Sequence, residues 1–77
     1  MILEIVSPEK IIYSGNAESV MLPGFNGAFT ILNRHAPIIS TLRKGVLRYR
    51  INDKNEKVIV NEGFVEVKKN KVSVCIE

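Results

Sequence analysis

An all-β domain with no long helix is what the sequence predicts, on three observations. Apolar and polar residues alternate with a period of two almost from end to end, the spacing of half-buried antiparallel strands. Turn-forming residues recur at short intervals between the alternating runs. No stretch carries an apolar stripe at three-and-four spacing over three turns. A sheet with one apolar face must bury it against another layer, so the expected architecture is a two-layer β-sandwich of about nine or ten short strands.

The elements follow in chain order. The first segment ends at Ser7-Pro8-Glu9, and the one through Ile11-Ile12-Tyr13 ends at Ser14-Gly15-Asn16. The segment through Val20-Met21-Leu22 runs to Asn26-Gly27, the sharpest hairpin signal, because Asn and Gly accept positive φ at little cost. The next stops at Asn33-Arg34. Pro37 and Gly45 bracket Ile38 to Arg43, the only run that could be misread as a helix. Gly45 to Ile51 alternates best: Leu47, Tyr49 and Ile51 fall on one face and Val46, Arg48 and Arg50 on the other. It closes at Asn52-Asp53-Lys54-Asn55, and Val58-Ile59-Val60 leads to Glu62-Gly63. Val65 and Val67 then alternate with Glu66 and Lys68 up to Lys69-Asn70. Val72, Val74 and Ile76 alternate with Ser73, Cys75 and Glu77 in the last strand.

With 77 residues, 45% apolar and 25% charged, the chain has a globular composition and room for one domain, residues 1–77. A domain this small buries only about 60% of the surface its unfolded chain exposes, so marginal stability is expected. The longest apolar stretches are far below the ~18 residues of a membrane span, so no membrane insertion is expected. Glu4 and Pro8-Glu9-Lys10 fit neither a secretory signal nor a transit peptide. Cys75 has no partner for an internal disulfide, which fits a reducing compartment.

Eleven basic and eight acidic residues give a net charge of +3, unevenly spread. Residues 34–50 hold Arg34, Arg43, Lys44, Arg48 and Arg50 and no acid. Such a block is a solvated strand face, a contact for an acidic protein, or a nucleic-acid or lipid surface. A small basic OB-like nucleic-acid-binding module is the alternative to weigh, but Tyr49 points away from Arg48 and Arg50, and Trp is absent.

Catalysis is not expected, nor is any cofactor or metal. His35 and Cys75 are the sole nucleophile–base candidates, and Cys75 alternates with apolar neighbours in a terminal strand, where a thiol acts as a small hydrophobe. The carboxylates sit singly, and no glycine-rich phosphate loop is present. His35 lies in the loop Asn33-Arg34-His35-Ala36-Pro37, where Pro37 holds Ala36 extended; it either hydrogen-bonds the loop backbone or meets a partner.

Taken in order, the segments Leu3-Glu4-Ile5-Val6-Ser7-Pro8-Glu9, Tyr13-Ser14-Gly15, Pro23-Gly24 with Gly27, His35-Ala36-Pro37, Lys44-Gly45-Val46-Leu47-Arg48, Gly63-Phe64-Val65-Glu66-Val67 and Asn70-Lys71-Val72-Ser73-Val74 resemble the epsilon subunit of bacterial F-type ATP synthase. The resemblance covers essentially the whole chain and corresponds to that family's N-terminal domain. It implies a flattened β-sandwich of two five-stranded, mostly antiparallel sheets. It also implies a non-catalytic rotor part of the central stalk that binds the gamma subunit and the c-ring. Ring rotation would thereby be coupled to the alpha and beta subunits of the catalytic head, on the cytoplasmic face of the bacterial inner membrane.

Residue by residue, the resemblance places Phe25, Asn26, Gly27, Ala28, Arg34 and His35 in the ring-facing stretch, and Ser7, His35 and Ser40 near gamma. Ala28 stands where the family usually has glutamate, Thr30 where it has glycine, and Asn33-Arg34 where it has Pro-Gly. Arg34 is therefore expected to carry the ionic part of the ring contact with reversed sign, toward an acidic ring loop. Longer members continue into a C-terminal helical hairpin that restrains ATP hydrolysis. With no counterpart after Glu77, the chain is expected to couple without helical inhibition.

Overall fold

In the computed structural model, which describes residues 1–77, the alternating runs form nine strands and no helix: β1 (Ile2–Val6), β2 (Ile11–Asn16), β3 (Ser19–Gly24), β4 (Gly27–Leu32), β5 (Ile38–Leu42), β6 (Gly45–Ile51), β7 (Lys54–Val60), β8 (Gly63–Lys68) and β9 (Lys71–Ile76). They hydrogen-bond in the order β2-β1-β9-β8-β5-β3-β6-β7, with β4 on β3. All pairs are antiparallel except β1 with β9, which sets the first and last strands side by side in parallel.

Two separate five-stranded sheets are not what forms. One continuous sheet folds over on itself, and its halves hold five strands (β2-β1-β9-β8-β5) and four (β4-β3-β6-β7). The fold-over is at the β5–β3 contact, where the only register pair is Gly24 with Leu42. Two backbone bonds flank it, from the Phe25 N–H to the Thr41 carbonyl at 3.2 Å and from the Arg43 N–H to the Pro23 carbonyl at 2.9 Å. Pro23 has no N–H to offer on this side, and the ladder from β3 to β6 ends before it, at Met21 with Arg48, which leaves the end of β3 to β5.

The two inner faces meet in one core of fifteen buried residues. Leu3, Ile5, Val65, Val67, Val72 and Val74 come from the five-stranded half, and Val20, Leu22, Ile31, Leu47 and Val60 from the other. Each buried Val, Leu or Ile contributes about 1.5–3 kcal/mol against the chain entropy. The alternation read from β6, β8 and β9 is the one observed: Leu47, Tyr49, Val65, Val67, Val72, Val74 and Ile76 are buried.

Several turns fall elsewhere than expected. Gly15 lies inside β2 rather than in a turn, and the chain bends at Ala17–Glu18 to pass from the five-stranded half into β3 of the other half. The Tyr13 ring folds over Gly15, where a Cβ would sit 2.9 Å from the Tyr13 hydroxyl oxygen, and that hydroxyl donates to the Asn16 carbonyl. The β3–β4 loop is Phe25–Asn26, with Gly24 paired to Gly27; the positive φ of 127° falls on Gly27, which leads into β4. Left-handed residues make up two other tight hairpins, Asn52–Asp53 and Lys69–Asn70. Lys54 and Asn55, expected in a turn, begin β7 opposite Ile51 and Arg50.

Tyr49 of β6 stacks on Tyr13 of β2 with ring centroids 4.8 Å apart, so the edge of one half closes onto the other. Burial, then the Glu56 carboxylate, then Tyr13, push the Tyr49 hydroxyl above its usual value of about 10. The folded state thus favours the neutral phenol. That contribution is complete below about pH 10 and is lost as pH rises through the folded value. The thermal midpoint is expected to fall more steeply above about pH 10 in the parent than in Tyr49→Phe. Parallel curves would remove Tyr49 as the cause.

Candidate functional site

The expected ring-facing stretch is β4 with the loops at its two ends. β4 pairs only with β3, so its other side is a free edge. At one end Phe25 stands 66% exposed at the hairpin tip, followed by exposed Asn26, Gly27 and Ala28. At the other, Arg34 adopts a left-handed φ of 65°, pinned by the bond from its N–H to Asn70 Oδ1 at 2.8 Å. β4 separates these ends by about 20 Å at its usual rise per residue. The tip and Arg34 therefore do not converge on one point; they bound one side of the domain.

His35 follows Arg34 and does what its loop position allows. Its N–H donates to the Leu32 carbonyl at 3.2 Å, and Nδ1 lies 2.7 Å from the Ala36 carbonyl oxygen, which assigns the proton to Nδ1. The ring is half-buried, with Nε2 not among these bonds. Ser40, by contrast, is beside the tip, in a groove of about 620 Å³ shared with Phe25, Ala28, Ile39 and Thr41. Ser7 follows β1, its N–H and Oγ both donating to the Lys10 carbonyl, at 2.9 and 3.3 Å. Ser7 and Ser40 flank opposite sides of the five-stranded half, with β9 and β8 between their strands, and His35 lies at the far end of β5.

Beside Ser7 lies a feature that no motif in the sequence marks. On the outer face of this half, Thr41 pairs with Phe64, Phe64 with Cys75, Cys75 with Val6 and Val6 with Ile11. These direct pairs make a mostly apolar row across five strands. Phe64 is 49% exposed and Ile11 63%, and Ile39, two residues before Thr41 on the same side of β5, is 75% exposed. A hollow of about 370 Å³ opens in the row between Val6, Pro8, Phe64 and Ile76. An apolar row of this extent marks an interaction surface rather than scattered exposure. The signal that could have found it is parity, since these apolar residues occupy outward positions where the alternation calls for polar ones.

No reactive cluster forms. His35 is at the β4–β5 turn, while Cys75 lies near the end of β9 that pairs with Gly63 and Phe64, so the one nucleophile–base candidate pair stays apart. Glu18 and Asp53, distant in sequence, converge on Arg50 at 3.7 and 3.2 Å, a convergence that spacing does not reveal. The geometry thus offers an apolar face, an adjoining groove and an exposed edge strand.

A family model described as the ATP synthase delta/epsilon chain, beta-sandwich domain, matches residues 1–77. The ATP synthase epsilon chain of Desulfitobacterium hafniense is 50% identical over 75 residues, covering 97% of this chain and 57% of the relative. That of Leptospira borgpetersenii is 46% identical, covering 97% of this chain and 59% of the relative. The chain thus spans somewhat more than half the length of these relatives. Among solved structures, a chain of the Euglena gracilis mitochondrial ATP synthase, in an assembly of OSCP, F1 and c-ring, superposes with a TM-score of 0.92 at 18% identity, covering 99% of this chain and 49% of that one. A chain of the Tetrahymena thermophila mitochondrial ATP synthase central stalk and c-ring gives 0.83 at 16%, covering 97% and 61%.

Proposed function

Since the chain belongs to the ATP synthase delta/epsilon chain β-sandwich domain family, we propose that it works as a non-catalytic rotor part of an F-type ATP synthase. In this reading it docks on the gamma subunit and the c-ring and passes ring rotation to the catalytic head. The apolar row through Phe64 is the observation that carries the reading. It gives one face of a small domain an interface character. Gamma covers this face, bounded by Ser7, Ser40 and His35. The ring meets the free edge of β4, from Phe25, Asn26, Gly27 and Ala28 to Arg34 and His35. The domain then sits peripherally on the cytoplasmic side of the bacterial inner membrane. The OB-like nucleic-acid module finds no support beside this family membership.

Pull-down of purified gamma and c-ring of the same synthase with the tagged chain tests the function. Capture of both is expected, and failure to capture gamma contradicts the reading. Arg34→Glu separates two seatings on the ring. If the domain lies along β4, reversing the charge loosens ring attachment and uncouples hydrolysis from pumping, whereas unchanged coupling leaves only the Phe25–Ala28 tip in contact.

A further inference from the structure

We propose that the outer face of the β4-β3-β6-β7 half is a second docking surface, taking an acidic polypeptide segment of another chain that carries apolar side chains beside its carboxylates. Register places Thr30, Met21, Arg48 and Lys57 in one row across the four strands. Arg48 and Lys57 are directly opposite each other, where like charges repel. No carboxylate lies within ion-pair distance of either, the two ion pairs of the chain both belonging to Arg50. Glu56 of β7 pairs with Tyr49 and so faces the other way. Within the basic block of residues 34–50, Arg48 takes no part in the proposed stalk contacts and belongs to an uncompensated pair.

The surroundings of this pair select the ligand. A hollow of about 280 Å³ beside Arg48 is lined also by Ser19, Thr30, Asn55 and Arg50, and since Arg50 is held by Glu18 and Asp53, Arg48 is the guanidinium left without a carboxylate beside these neutral hydrogen-bonding groups. That set suits a carboxylate held by two parallel N–H bonds with a hydroxyl beside it. Met21 is 43% exposed within the row, Ile59 65% and Leu32 60% in the rows on either side. A ligand covering them needs apolar groups next to its anions. A nucleic-acid backbone has none, and Tyr49, turned inward, offers no ring for base stacking. A bilayer carries its apolar part beneath its headgroups rather than among them.

The probe is a synthetic peptide of Glu, Leu and Ala residues titrated into the 77-residue chain while backbone amide shifts are followed by NMR. Oligothymidine and phosphatidylglycerol vesicles are the competing probes. Shifts are expected to concentrate at Met21, Arg48, Lys57 and Ile59. Lys57→Glu is expected to weaken peptide binding about tenfold or more and yet raise the thermal midpoint by a few degrees, because it turns a cross-strand repulsion into an attraction. Lys57→Gln, which removes the charge without reversing it, is expected to weaken binding less. The proposal is overturned by shifts that fall on the five-stranded half, by undiminished binding in Lys57→Glu and Lys57→Gln, or by tighter binding of oligothymidine or vesicles to this face.

Discussion

Replacing Gly63 with Ala is expected to cost the fold about 2–3 kcal/mol, the upper range for forcing extra atoms into a packed site. A Cβ at Gly63 would stand 2.2 Å from the Cys75 carbonyl oxygen and 3.0 Å from the Ile76 Cα, and both are backbone. No rotamer change relieves such a contact, so β8 and β9 must separate where Gly63 pairs with Ile76. The same residue pairs with Leu42 of β5, the residue at the fold-over, and the backbone bonds between Asn61 and Glu77 and between Glu77 and Glu62 close the loop around it. A domain of this length has roughly 4–12 kcal/mol in total, so the thermal midpoint should fall by at least about 8 °C. An unchanged midpoint would mean that the strands do not approach this closely.

Phe64→Asp should cut gamma capture by about 30-fold to 1,000-fold, the loss typical of an aromatic anchor at the centre of an interface. Phe64 occupies the middle of the apolar row, with Thr41 on one side and Cys75 on the other, and its half-exposed ring leaves the core intact when it is replaced. A carboxylate there would be desolvated without a partner on docking. Ile59→Asp is the control, since Ile59 is 65% exposed on the other half of the fold. Gamma capture is expected to survive it. Equal losses in the two variants would point to unfolding rather than to the interface, which the thermal midpoints of both check directly.

Much of the fold was legible because period-two alternation is a local property. Leu47 and Tyr49, or Val72 and Val74, announce their buried face without knowledge of any partner strand. What local pattern cannot carry is pairing across the chain. Nothing in the residues of β1 and β9 shows that they lie in parallel, or that one sheet bends at Gly24 and Leu42 instead of forming two. Gly15 misleads for a similar reason, as its role is to leave room for the Tyr13 ring rather than to turn the chain. The site was legible only in pieces. The resemblance pointed to Phe25–Ala28, Arg34, His35, Ser7 and Ser40, but the apolar face beside Ser7 is assembled from single outward residues of separate strands, Ile11, Ile39 and Phe64, none of which stands out alone.

Hydrogen exchange of the chain, free and bound to the gamma subunit with the c-ring, tests the docking account most directly. The account predicts added protection at β8 around Phe64, at β5 around Ile39 and along the free edge of β4, with β6 and β7 unchanged. No gain in protection on binding, or a gain confined to β6 and β7, would contradict it.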